Sequence, residues 1–465
     1  VSLTDRIDRV LTHRWWGVLF FGFIMVLMFQ SVFYVAEPAS ALIDRMNAFA
    51  SDLVVRSMAP GALRSLLISG VIEGVGGVLV FLPQIFVLFL FIAILEDCGY
   101  MARAAYLMDR LMSRIGLSGK SFIPLLSSFA CAIPGIMAAR VIENPKDRLV
   151  TILIAPLMSC SARLPVYTLL IGAFIPDHRY LGNVIGLKGV TMFAMYLLGI
   201  VAATFVALVL RRTLLKGTAP PFVMELPSYK LPGLDIVVYR VLERGWSFVR
   251  RAGTLIFAIT IVVWAAGYYP HSPENIDADL FESQAQLQTS IGLLDGEMSV
   301  MAVSQREGLQ VDLARVEGRI AGQHLRHSVL GRLGQFVEPV VKPLGWDWRI
   351  GCAAIASLPA REVVIATFGV IYNLGEEESE SGNTLAETMQ QATWEESGEL
   401  VFNTPVALSI MVFFALCAQC ASTLVVMRRE TNSWRWPAFT FVYMTVLAYL
   451  GALATYQIGM LFVAA

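Results

Sequence analysis

Three cysteines carry the chemistry this sequence offers. Cys131 follows Ser127-Ser128-Phe129-Ala130 and precedes Ala132-Ile133-Pro134. Cys160 lies in Ser159-Cys160-Ser161-Ala162-Arg163, and Cys420 in Gln419-Cys420-Ala421-Ser422. A thiolate is a soft ligand that favours transition metals over Mg2+ and Ca2+. All three sit among small and polar residues in stretches otherwise apolar enough for a membrane. Free cysteine is also among the most buried residue types, so packing explains any single one. Cys160 and Cys420 fall at matching points of a repeated pattern, which favours ligation. Cys98, Cys352 and Cys417 lack this context and read as packing. Cys417 and Cys420 have a redox or zinc spacing, but without a second pair the spacing carries little weight.

Charges inside apolar runs are the second signal. A bare charge near the bilayer centre costs several kcal/mol. Arg163, Arg361 and Glu362 must therefore face protein or water, and an Arg163–Glu362 pair is expected. Structural pairing and substrate handling fit these charges equally well. Glu96 and Asp97 close the second apolar run, either as cation-collecting acids at a pore mouth or as a helix-end interfacial pair. Gly116-Leu-Ser-Gly-Lys-Ser121 is a near miss for a phosphate loop, because Arg114 stands where that pattern needs glycine and no strand precedes it. His13, His178, His271, His324 and His327 all lie outside the apolar runs. This argues against a buried histidine metal site or proton relay and leaves an intramembrane protease without its constellation.

The elements that must position these residues are membrane helices. The 465 residues are 56% hydrophobic and only 15% charged, against about 25% charged in soluble domains. Several runs exceed the roughly 20 residues needed to cross a bilayer. The sequence predicts an all-α polytopic membrane protein with seven to nine apolar membrane segments. Residues 1–14 form a basic lead-in. Residues 15–269 form a membrane region, with a first span at 15–36 and a mixed surface stretch at 38–65. Residues 270–345 form an extramembrane helical insert. Residues 346–463 form a second membrane region with an acidic loop at 374–402. The first residue is Val, so the chain reads as a piece of a longer protein.

Two stretches break the pattern. Residues 121–175 hold Pro124, Pro134, Pro156 and Pro165, and residues 350–373 hold Pro359. Proline removes a donor and clashes with the preceding turn, and each freed carbonyl must find a partner or line a wet cavity. If 121–139 and 350–373 each enter and leave on one side, the basic segments 140–148, 211–251 and 428–435 share the cytoplasmic face, as the positive-inside rule favours. The two repeats, 121–175 and 350–373 with 404–427, are then re-entrant and inverted, with a site at their midplane interface, as in many transporters.

With LEDCGYMARAAYLMDR, GLSGKSFIPLLSSFACAIPGIMAARVIENPKDRL, APLMSCSARLPVY, FVMELPSYKLP, RAGTLIF, VEPVVKPLGWDWRIG, LPAREVVIATFGVIYN and MRRETNSWRW, the chain resembles the membrane domain of the bacterial ferrous iron transport protein B family. The proline-broken stretches resemble that family's Gate motifs. The resemblance implies import of Fe2+ across the bacterial inner membrane, with the N-terminus cytoplasmic and no enzyme activity in this chain. It implies an iron path through Cys131, Cys160 and Cys420, with Ser128, Ser159 and Ser161 as weaker lining and Pro134, Arg163, Pro359 and Glu362 as lining or gating residues. It implies no cofactor here. GTP and Mg2+ belong to a GTP-binding domain expected before Val1. The expected partners are that domain, membrane lipid, small cytoplasmic accessory proteins and a second copy of the chain, with no nucleic acid. Two departures stand out: Ala132 where the family has Asn at the first Gate, and Gln419 where it has Pro before the second Gate cysteine. Gate repeats also occur in nucleoside carriers, so an organic solute is the alternative cargo.

Overall fold

The computed structural model describes residues 3–13, 15–59, 61–80, 82–180, 185–216, 229–271, 277–294, 300–358, 361, 363–371, 382–394, 398–418 and 420–464. Among these, six helices are long and apolar enough to cross a membrane: Trp16–Ser57, Ala62–Asp97, Pro145–Phe174, Leu187–Arg212, Thr404–Thr431 and Arg435–Phe462. Two shorter apolar stretches, Ala132–Val141 and Thr254–Tyr268, join them. Outside the helices, a two-residue ribbon pairs Arg179 with Gly186 and Tyr180 with Ile185.

The first helix departs from expectation. It runs for 42 residues, through Pro38 to Ser57, instead of ending near 36. Residues 39–57 contain Ala39, Ala41, Ala48 and Ala50 and no Gly or Pro, which favours continued helix. The Ser40 hydroxyl donates to the Val80 carbonyl at 2.8 Å and ties the long helix to its neighbour.

The chain divides into two compact units. One comprises Val1–Ala162, Met195–Ile261 and Ala415–Val446. In it, Leu82–Asp97 packs between Trp16–Ser57 and Leu234–Phe248. Gly99 and Gly116 flank the amphipathic helix Tyr100–Ile115 at φ 85 and 83, left-handed backbone that residues with a Cβ rarely adopt. Next come the helices Phe122–Ala130 and Ala132–Ala138, packed against each other as a hairpin. Nine helical residues rise about 13 Å, far short of the roughly 30 Å hydrocarbon core. Neither arm crosses a membrane.

The other unit comprises Arg163–Ala194, Val262–Phe414 and Leu447–Ala465. It holds a second pair of packed short helices, Trp348–Ala356 and Val363–Ile371, each of nine residues. Asp347 caps the first by accepting from the Ile350 N–H at 3.0 Å. Beside it, the fully buried Trp346 donates its indole N–H to Ser409 Oγ at 3.2 Å. The insert is a packed pair of helices, Ala278–Leu294 and Val300–His327. Within the acidic segment 374–402, Gly382–Gln391 is a helix that packs on Leu164–Phe174.

Element order repeats along the chain. In each half a helix (Tyr100–Ile115; Val329–Val341) leads through one short 3-10 turn to a broken pair of short helices. A long segment interrupted at a cysteine and a final long helix follow.

Candidate transport site

Proline chemistry places the first break. Pro134 has no N–H to give the Ala130 carbonyl, so a continuous helix through 130–134 is penalised. The chain turns extended at Cys131, at φ −154 and ψ 134, and restarts as Ala132–Ala138 with Cys131 as its N-cap residue. Ser127 and Ser128 donate back to the Ile123 and Pro124 carbonyls at 3.0 and 2.8 Å. Ser128 is fully buried where the hairpin arms meet at Gly135, so its hydroxyl serves the arm contact.

The second break is similar. Pro156 and Pro165 flank Cys160, and only short 3-10 turns, Ala155–Leu157 and Ser161–Arg163, stand on either side of it. Ser159 is fully buried. The helix Leu187–Arg212 reaches this segment at Gly199, where a Cβ would stand 2.8 Å from the Leu157 carbonyl and 3.1 Å from Ser159 Oγ. Only glycine allows that approach.

The third break is at Cys420, extended at φ −158 and ψ 99, which is the N-cap residue of Ala421–Thr431. That helix packs on Ala132–Ala138, which also packs on the Ala155–Leu157 turn. The elements that adjoin the three breaks therefore pack together within one unit, and they come from both halves of the chain. Cys131, Cys160 and Cys420 are half-buried, whereas Cys352 and Cys417 are fully buried. Cys98 is half-buried and directs its thiol to the Leu95 carbonyl at 3.4 Å. Among the described residues no three His, Cys, Asp or Glu side chains form one metal cage.

The other expected residues are distributed differently. Arg163 is buried at the head of Leu164–Phe174, in the second unit. Pro359 and Glu362 lie outside the described residues, and so does the expected Arg163–Glu362 pair. Arg361, also buried, donates to the Phe414 carbonyl at 3.2 Å and so caps the end of Thr404–Leu416. Glu96 faces Arg244 at 3.2 Å and Arg240 at 3.6 Å. Asp97 is buried, pairs with Lys230 at 2.9 Å and accepts from the Gly233 N–H at 3.0 Å. The chain's own cations thus compensate both acids, an arrangement that suits the helix-end reading.

Sequence reasoning missed the polar contacts that brace this unit. Arg103 is buried and grips Asp8 with two nitrogens, at 3.0 and 3.1 Å. The Tyr229 ring stacks on its guanidinium, 4.1 Å from the ring centroid, and the Tyr229 hydroxyl donates to Asp8 at 2.9 Å. The hydrogen bond from Arg103 holds the Asp8 carboxyl below the usual carboxylate range. Because that pKa is depressed, the link persists at neutral pH and is lost only as pH falls through the lowered value. Arg211 joins buried Asp147 to the Gly116 carbonyl. Lys120 pairs with Glu143 at 2.7 Å, and that hydrogen bond lowers the Glu143 pKa. The available signal was a charged residue within each family-like stretch: Arg103 in YMARAAYL and Asp147 in ENPKDRL.

The fold and the converging breaks define a polytopic helical membrane protein of Gate architecture. A family model described as "Gate: Nucleoside recognition" matches residues 78–174 and 249–434, and one described as "Ferrous iron transport protein B C terminus" matches 192–244. The chain belongs to the Gate family. It is 41% identical over 458 residues to the Fe(2+) transporter FeoB of Leptospira interrogans serogroup Icterohaemorrhagiae serovar copenhageni, covering 98% of this chain and 60% of that protein. It is 37% identical over 471 residues to the Fe(2+) transporter FeoB of Staphylococcus aureus strain MSSA476, covering 99% and 60%. A Porphyromonas gingivalis Fe(2+) transport protein A/Fe(2+) transporter FeoB fusion protein is 37% identical over 462 residues, covering 99% and 52%. The chain thus spans about 60% of the length of the first two relatives. No solved structure matches it.

Proposed function

We propose that this chain is the membrane path of an Fe2+ importer in the bacterial inner membrane. The carrying observation is that the elements adjoining three cysteine-bearing helix breaks pack together in one unit. Aqueous Fe2+ cannot enter hydrocarbon with its charge unpaired. The Cys131, Cys160 and Cys420 thiolates replace part of its water shell, since soft donors suit a transition metal. Carbonyls freed by Pro134 and Pro156 supply further oxygen donors. Few strong ligands allow release as well as capture. Ser159 and Ser161 line the path, and separation of the two cysteine-capped helices opens it. The repeats are inverted and the N-terminus is cytoplasmic, the placement the basic segments favour. The relatives' extra length is consistent with a GTP-binding domain that uses GTP and Mg2+ and gates the path from outside this chain. A small accessory protein fits as a partner, since one relative is a fusion with Fe(2+) transport protein A.

The matching family is one of nucleoside recognition, which favours a second reading, an organic solute. Anaerobic thermal shift of the intact protein in detergent separates the two. Iron transport predicts stabilisation by Fe2+ but not Mg2+, lost in Cys131→Ser, with no response to uridine. Stabilisation by uridine that survives Cys131→Ser would replace the iron reading.

A further inference from the structure

The helices Ala132–Ala138 and Ala421–Thr431 share more than a cysteine at the start. They pack on each other, and they are joined at their far ends. Arg140 donates through Nε and a terminal nitrogen to both carboxylate oxygens of Glu430, at 2.7 and 2.6 Å. Arg140 stands nine residues after Cys131, and Glu430 ten residues after Cys420. The two arms are therefore of nearly equal length, with thiols at one end and an ion pair at the other. A two-pronged guanidinium–carboxylate contact adds geometric specificity as well as energy to the pair. The Glu430 side chain is 7% exposed and the Arg140 side chain 60% exposed, so the pair sits at a rim where water meets the packed helices.

We propose that Arg140 and Glu430 form a latch that closes the cysteine path on the side carrying the basic segments. This rests on the iron-path reading above. While the pair is closed, the far ends of the two cysteine-capped helices cannot part. An ion released from the thiols can leave between them only after the pair breaks. The pair sets the fraction of time the exit is open. Neither residue binds the cargo.

The test uses charge reversal in the intact protein, in inverted membrane vesicles, with Cys131 or Cys420 as the only cysteine. The readout is the rate of labelling by a membrane-impermeant methanethiosulfonate, which needs no transport. Arg140→Glu and Glu430→Arg alone should each raise the rate about fivefold, the scale of a well-formed partly exposed ion pair. The double reversal R140E/E430R should return it to the starting value, and it shows that the single variants were not merely misfolded. Unchanged rates in both single variants would overturn the latch, as would a double variant that labels as fast as the singles. Fe2+ influx, measured separately in right-side-out vesicles of the protein with all six cysteines in place, judges the iron reading: labelling that follows the latch while that protein shows no Fe2+ influx would retire the cargo and keep the gate.

Discussion

At Gly135 a methyl group would stand 2.7 Å from the Pro124 carbonyl and would collide with the Ser128 hydroxyl. The serine could rotate away, but the carbonyl is backbone. Gly135→Ala must therefore splay the first hairpin, at a cost of about 1–3 kcal/mol for overpacking. Thermal unfolding in detergent should show the loss, and adding Ser128→Ala should not recover it. Full recovery would mean that the side chain alone sets the contact. The cysteine breaks could be read in the sequence because proline acts locally: Pro134 withholds an N–H from the Ala130 carbonyl and so favours a break there, although the helix that runs through Pro38 shows that proline alone does not force one. Gly135 and Gly199 gave no such sign, since what each glycine permits depends on a carbonyl brought near by the fold. The Arg103–Asp8 and Arg140–Glu430 pairs were hidden for the same reason, being 95 and 290 residues apart in sequence.

Among the elements, the insert carries a titratable joint. The His271 ring stacks on Tyr268 at 4.4 Å and on His324 at 3.7 Å, with His327 one turn further along the same helix as His324. Burial, with help from His271 and His327, pushes the His324 pKa from 6.5 down to about 4. The folded insert thus prefers the neutral ring. Its packing is at full strength above the ordinary value of 6.5 and weakens as pH falls from there towards about 4. Hydrogen exchange of Val300–His327, corrected for intrinsic rates, should show less protection at low pH than at neutral pH. His324→Gln should flatten that dependence, and protection that is flat in the unaltered protein would contradict the account. The insert's helices were legible as periodic, mixed-charge sequence. The full extent of Trp16–Ser57 was not. Its composition turns more polar after residue 37, yet residues 39–57 keep their helical preference.

At the scale of the whole molecule, the apolar runs gave the membrane class, because burying about 20 backbone units in lipid admits little but helix. The repeated element order was legible only in part: its prolines and cysteines marked the breaks, but the identity between the halves is thin. The unit that gathers the cysteines draws on 1–162, 195–261 and 415–446, a grouping that no local pattern announces. The central claim is that these thiols carry the ion. Anaerobic Fe2+ influx into proteoliposomes of the intact protein, compared with its Cys131→Ser, Cys160→Ser and Cys420→Ser variants, tests it most directly. The account predicts that influx falls about tenfold or more in each variant, the least expected when a metal ligand is lost. Influx equal to that of the unaltered protein in all three would reduce the cysteines to packing and contradict the account.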